Sequence, residues 1–415
     1  MKKSVKNNIL MLYIMNIAQL ILPLITLPYL TRVLTVNGYG VVNYVKSLMM
    51  YITLIIEFGF TLSGTKEIVE AENNKAKINQ IISKITISKT ILSVLALIVL
   101  IVMIFTIPLL RQYPLYTILS FLPSFLTIYL FDYFFRGIEK MQIITERYVI
   151  MRGTATALTF LLVKSEDQLL LIPILDIIGS VLASAWVLLI LKKMGIHFVK
   201  VSFSTIVNDL KVSFTYFVSN IASTAFGALN TLFVGIILST RDIAYWSLIM
   251  TLVTAVQSMY SPISDGIYPR MVAKKSFRLF AKILLFFAPF LIFGTVITYF
   301  GSSIIIGLVG GSKYYNASIY LQQCVPLLIV SFFSILCGWP LLGAINKVRE
   351  TTLTTIFAAI LQVLGLALLI VIDKFNITTL IILRTITEVA LLVTRIGYSY
   401  KYRKLFNYSE LEIEN

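Results

Sequence analysis

Long apolar blocks separated by short clusters of charge run the whole length of the chain. Each block holds about 18 or more apolar residues, enough for a helix to cross roughly 30 Å of bilayer hydrocarbon. They predict spans at 8–31, 38–62, 85–110, 114–135, 144–163 and 168–191, then at 212–238, 242–263, 281–300, 321–344, 352–372 and 376–398. A membrane β-barrel would show strands of about ten residues with alternating polarity, and these blocks are continuous. The pattern predicts an all-α polytopic membrane protein of twelve transmembrane helices.

Six spans per half divide the chain into bundles of residues 1–204 and 205–415, each in the same orientation. That is the arrangement of parallel repeats about a pseudo-two-fold axis normal to the membrane. A shift of 204 residues supports it, superposing Asn16–Ala18 on Asn220–Ala222, both reading NIA, and Thr26 on Asn230. In the first span Asn16, Gln19 and Thr26 share one side, as do Asn220, Ser223 and Asn230 in the seventh, each stripe covering about 80° of helix. Such stripes can line a cavity or glue helices together.

Composition agrees with the pattern. Of 415 residues, 58% are hydrophobic and 13% charged, about half the charge of a soluble domain. The first apolar block is too long for a signal peptide and lacks a small-residue cleavage site. Two cysteines, Cys324 and Cys337, share one apolar block, and the single histidine, His197, lies in a loop. No disulfide framework, metal centre or other cofactor is expected from that inventory.

Lys and Arg collect in cytoplasmic loops. Twenty-six of the 35 basic residues fall in the N-terminal segment, the even-numbered loops and the tail, against six on the opposite side. Both termini are therefore expected in the cytoplasm. Topology also accounts for the +16 net charge, so no nucleic-acid surface needs to be invoked. Three bases, Lys46, Arg384 and Arg395, remain inside spans.

An ionisable group at the bilayer centre costs at least about 2.5–3.5 kcal/mol, so it faces a partner or a watery cavity. Lys46, Thr53 and Glu57 lie within about 40° of one another on the second span, and Arg384, Glu388 and Arg395 share a face of the twelfth. Arg384 and Glu388 are spaced for an i,i+4 ion pair, as are Asp132 and Arg136 at the end of the fourth span. Arg395 sits near a helix end, where snorkelling to the headgroups is the simpler reading. Asp176 stands by itself in the sixth span, as a protonated, locally bonded or functional acid. Matched bundles with polar first helices and buried cations suggest a cavity that opens to either side in turn, the working part of a transporter.

The stretches LPYLTRVLTVNGYG (27–40), FGFTLSGTKEI (58–68), FFRGIEKMQIITER (134–147), YPRMVAKK (268–275) and GLVGGSKYYNASIYLQ (307–322) resemble the Wzx-type polysaccharide repeat-unit flippases. That family belongs to the superfamily of multidrug exporters and the lipid II flippase. The resemblance covers nearly the whole chain. It implies a protein of the bacterial cytoplasmic (inner) membrane that moves undecaprenyl-pyrophosphate-linked oligosaccharides to the outer leaflet, for O-antigen, lipopolysaccharide or capsule. Membrane lipid and a glycan polymerase would be its partners. Arg32, Lys46, Arg136, Arg384, Asn16 and Asn220 are then the expected substrate-binding residues, and Glu57, Asp176 and Glu388 candidates for ion coupling. Arg32 matches the basic residue ending the family's first span, and it would serve equally as an interfacial anchor.

A small-molecule exporter of organic cations would favour acidic and aromatic cavity residues, whereas the deep charges here include as many bases as acids. A membrane glycan polymerase or ligase would need catalytic groups in a long outer loop, and the longest outer connection, 301–320, holds no His, Asp or Glu. No enzyme is expected. Reporter fusions after residues 112 and 374 should report the outer face, and fusions after 73, 195 and 275 the cytoplasm. The reverse pattern would overturn the orientation.

Overall fold

A computed structural model describes residues 3–72 and 74–406, and among these every regular element is helical. Ten helical stretches are long and apolar enough to cross a membrane: Tyr13–Val33, Val36–Glu70, Lys75–Thr106, Pro114–Gly137, Glu166–Lys193, Thr240–Lys274, Phe277–Phe300, Val325–Ile345, Val348–Val371 and Ile377–Lys401. The other two predicted spans also fall on helices. Residues 144–163 lie within Met141–Tyr148, a π-helical turn Val149–Gly153, and Thr154–Leu162. Residues 212–238 lie in a helix of 35 residues, Phe203–Ile237.

Local chemistry sets many of the helix starts. Thr35, Asn74, Ser202, Ser276 and Asn376 each accept a backbone N–H of the first turn, satisfying donors that a helix start leaves open. At Asn376 the bond is reciprocal, since Thr379 returns one to the Asn376 amide, a capping box. Left-handed Phe58 ends Val36–Glu57, and left-handed Phe131 precedes the short helix Asp132–Gly137.

Contacts divide the chain into two compact units. The first comprises Met1–Thr224 with Thr231–Ala244, the second Ala225–Asn230 with Tyr245–Asn415. The long helix Phe203–Ile237 thus contributes to both, whereas the sequence halves meet at residue 204.

In the first unit Phe60, Ile82, Phe131, Phe134 and Phe135 are central to the core. The apolar stretch around Asp132 therefore faces inward. In the second unit Phe280, Phe332, Leu336 and Leu342 form the corresponding core. Outer faces are equally apolar: on Phe277–Phe300 the rings of Phe286, Phe290, Phe293 and Phe300 are exposed. Hydrocarbon tolerates such a surface and water does not.

Candidate substrate-binding site

In the first unit Lys46 lies midway along Val36–Glu57, a stretch otherwise rich in buried Tyr, Val, Leu and Ile. Its side chain is exposed, with Arg152 and Asp176 as its charged neighbours. Arg152 reaches this place by way of the π-helical turn Val149–Gly153. One extra residue in a turn rotates the following side chains and is a frequent device at functional sites. The turn packs closely on Leu171–Lys193, where a Cβ on Gly179 would meet the Met151 carbonyl oxygen at 2.2 Å. Only glycine allows this approach. Asp176, one turn from Gly179, then accepts a hydrogen bond from Arg152 at 3.1 Å. Asp176 is therefore paired rather than solitary, a correction to the sequence reading.

Two bases against one acid leave this cluster with a formal charge of +1. The Arg152 and Asp176 side chains are 42% and 34% exposed, and Lys46 is an exposed residue, all three at positions inside predicted spans. An ammonium and a guanidinium placed this way can take the oxygens of a phosphate or pyrophosphate and replace the water it loses.

The remaining charges of this unit are held more tightly. Glu57 lies on the same face of Val36–Glu57 as Lys46, and its carboxylate accepts Lys89 at 2.8 Å. The Lys89 ammonium is 2% exposed and lies 5.7 Å from the centre of the Tyr133 ring. Asp132 was expected to pair with Arg136, but accepts from Arg147 at 2.8 Å. Left-handed Phe131 re-aims the chain just before Asp132, and this favours the long-range partner. Arg136 is half-buried. Lys84 bridges Glu67 at 2.6 Å and Asp209 at 2.9 Å. Burial pushes the Asp209 carboxyl above its ordinary range, against the pull of Lys84. A cavity of about 430 Å³ opens beside this bridge, lined by Glu67, Glu70, Lys77 and Lys84 among others. Its Lys84 and Glu67 are already committed to one another, so it is a weaker binding candidate than the Lys46 cluster.

In the second unit Glu388 is buried and accepts the Ser334 hydroxyl. Arg384 is half-buried with Glu388 as its charged neighbour. Arg395 does not snorkel as the sequence suggested. It is buried and donates to the Ser334 carbonyl at 2.5 Å, the Thr355 hydroxyl at 3.1 Å and the Thr354 hydroxyl at 3.4 Å. Asn230 accepts from Gln362 at 2.9 Å, and Gln362 in turn accepts the Thr387 hydroxyl at 2.5 Å. This residue of the seventh-span stripe is therefore helix-packing glue.

Of the other expected residues, Asn16 and Arg32 are exposed on the first helix, away from any pairing with Lys46 that the structure defines. The side chain of Asn220 lies outside the described residues. Lys89, Arg147 and Arg152 were counted among loop charges, although all three fall inside the predicted spans 85–110 and 144–163. That position was the signal that marked them as buried or cavity-facing.

Membrane-spanning helices in two units, with open charges inside predicted spans, define a multi-pass helical membrane protein built like a transporter. Solved structures share this fold. Lipid II flippase MurJ in an inward closed conformation matches with TM-score 0.67 at 17% identity, over 95% of this chain and 87% of its own. A multidrug resistance MATE family transporter of the MOP superfamily, inward-facing, matches with TM-score 0.64 at 12% identity, over 93% and 98%. Residues 5–275 match the family described as polysaccharide biosynthesis protein, and the chain belongs to that family. A protein named "Putative O-antigen transporter" from Escherichia coli (strain K12) is 28% identical over 88% of this chain and 89% of its own length. A protein of the same name from Shigella dysenteriae is 26% identical over 85% and 89%.

The two kinds of ion pair differ in what their loss should do. Asp132→Asn leaves the Arg147 guanidinium, 6% exposed, without its partner and should cost about 3 kcal/mol. Asp176→Asn in the more open pair should cost at most about 1 kcal/mol. Thermal unfolding in detergent checks the difference, and equal losses would contradict it.

Proposed function

We propose that the protein translocates undecaprenyl-pyrophosphate-linked oligosaccharides from the cytoplasmic to the outer leaflet of the bacterial inner membrane, by alternating access. The observation that carries this reading is the exposed residue Lys46, halfway along a membrane helix, with Arg152 and Asp176 as its charged neighbours. A pyrophosphate and a hydrated glycan cannot enter hydrocarbon with their water removed and nothing in its place. Two cations in a wet cavity supply the replacement, while an isoprenoid tail can stay in lipid. The names of the Escherichia coli and Shigella relatives support the same substrate class.

The charge of the cluster also separates this reading from export of organic cations, which a +1 site would repel. Arg152 joins Lys46 as a substrate contact, and Asp176 holds Arg152 in position. Arg32, Arg136, Arg384, Asn16 and Asn220 remain candidate contacts for the headgroup or glycan. Among the three acids considered for ion coupling, Glu57 and Asp176 are engaged by bases. Glu388 accepts a neutral hydroxyl and has Arg384 and Arg395 as charged neighbours, so all three acids remain candidates for a coupling ion. Both termini lie in the cytoplasm on this reading.

In proteoliposomes supplied with lipid-linked oligosaccharide, Lys46→Ala should slow translocation at least about tenfold, the scale of one lost charge-assisted bond. Lys46→Arg should retain most of it, with equal protein inserted in each case. Wild-type rates in Lys46→Ala would overturn the assignment of the site.

A further inference from the structure

The tenth span is broken inside the second unit. Helix Val325–Leu336 gives way to a π-helical turn, Cys337–Leu342, in which Gly338 has φ −78° and ψ −107°, outside the helical region. Pro340 follows and has no N–H to restore the ladder. One turn before the break, the Ser334 carbonyl accepts Nη1 of Arg395 at 2.5 Å, from a different helix. The guanidinium lies so close to the break that a Cβ on Gly338 would stand 2.9 Å from Nη1 and 3.0 Å from Cζ.

Ser334 also faces the other way. Its hydroxyl donates to the Glu388 carboxylate, so one residue at the break joins a cation through its carbonyl and an acid through its hydroxyl. Ser334, Glu388 and Arg395 are all buried. Thr354 and Thr355, from Val348–Val371, take the other guanidinium nitrogens. The charged or titratable groups around this arrangement are Arg384 on the same helix as Glu388 and the buried Cys337 thiol on the tenth span. Burying a guanidinium costs several kcal/mol of desolvation, and the Ser334 carbonyl with the two threonine hydroxyls offsets part of it.

We propose that Arg395, Ser334 and Glu388 form a latch that fixes the bend of the tenth helix at Gly338. When Arg395 leaves, its guanidinium no longer packs against the break at Gly338, and the segment after Gly338 takes a second arrangement. Bend and latch therefore change together, as a two-state element inside one bundle. The use of such an element in a transport cycle rests on the transporter reading above, but its existence does not. Arg395 is a positioning residue here and is not among the candidate substrate contacts.

The test measures conformation rather than flux. Spin labels at Val330→Cys and Val348→Cys, in full-length protein with Cys324→Ala and Cys337→Ala, report the distance across the break in lipid nanodiscs. The latched protein should give one dominant distance. Arg395→Met removes the donor and Gly338→Ala displaces it without changing any charge. Each should raise the ratio of a second distance to the first by at least about tenfold, the scale of one lost charge-assisted hydrogen bond. A merely structural loss would lower the melting temperature without creating that second distance. Wild-type distance distributions in both variants would overturn the latch. If Arg395→Met fails to insert, Gly338→Ala decides by itself. Slow translocation with an unchanged distance would also overturn the latch while leaving the substrate-site reading intact.

Discussion

A charge taken out of water must be met inside the same bundle, and that requirement shapes this protein more than any other. Hydrocarbon offers no hydrogen bonds, so each ionisable group within the spans either finds a partner or keeps contact with water. The first unit shows both outcomes. Lys89 is closed off by Glu57 and Tyr133, and Arg147 by Asp132. Lys46, by contrast, stays exposed next to Arg152 and Asp176. The buried pairs hold helices together, and the open cluster is the proposed substrate site.

The second unit solves the same problem with backbone and neutral oxygens. Arg395 is bonded to a carbonyl and two hydroxyls, and Glu388 to one hydroxyl. The amide chain from Asn230 through Gln362 to Thr387 adds uncharged crossties. In the first unit ion pairs join sequence-distant helices beside neutral bonds such as Thr53 to Ser124 and Tyr29 to the Val163 carbonyl, while in the second the bonds that Arg395 makes beside the broken helix are to neutral oxygens. Similar span patterns in the two halves therefore carry different interior chemistry.

The all-helical, membrane-spanning architecture was legible because apolar length is a property of contiguous residues. The family was legible for a related reason, since its motifs are short and lie in order along the chain. Partners were harder to read. Glu57 meets Lys89, Asp132 meets Arg147 and Asp176 meets Arg152 across 32, 15 and 24 residues. Helical spacing exposes only neighbours three or four residues apart. The π-turn that presents Arg152 and the break at Gly338 leave little trace in a hydropathy pattern, because both redirect the chain without changing its polarity. Arg147 and Arg152 lie close enough to a basic loop that their charge fits the topology as well as it fits a site within the span.

The central claim is that the Lys46 position meets water from within the membrane span. Its most direct test is the reactivity of Lys46→Cys, in protein lacking Cys324 and Cys337, toward a membrane-impermeant cationic thiol reagent applied in turn to each face of reconstituted vesicles. The account predicts modification from at least one face, slowed by added lipid-linked pyrophosphate. A thiol that resists the reagent from both faces, while a cysteine in the 192–202 loop reacts, would contradict it.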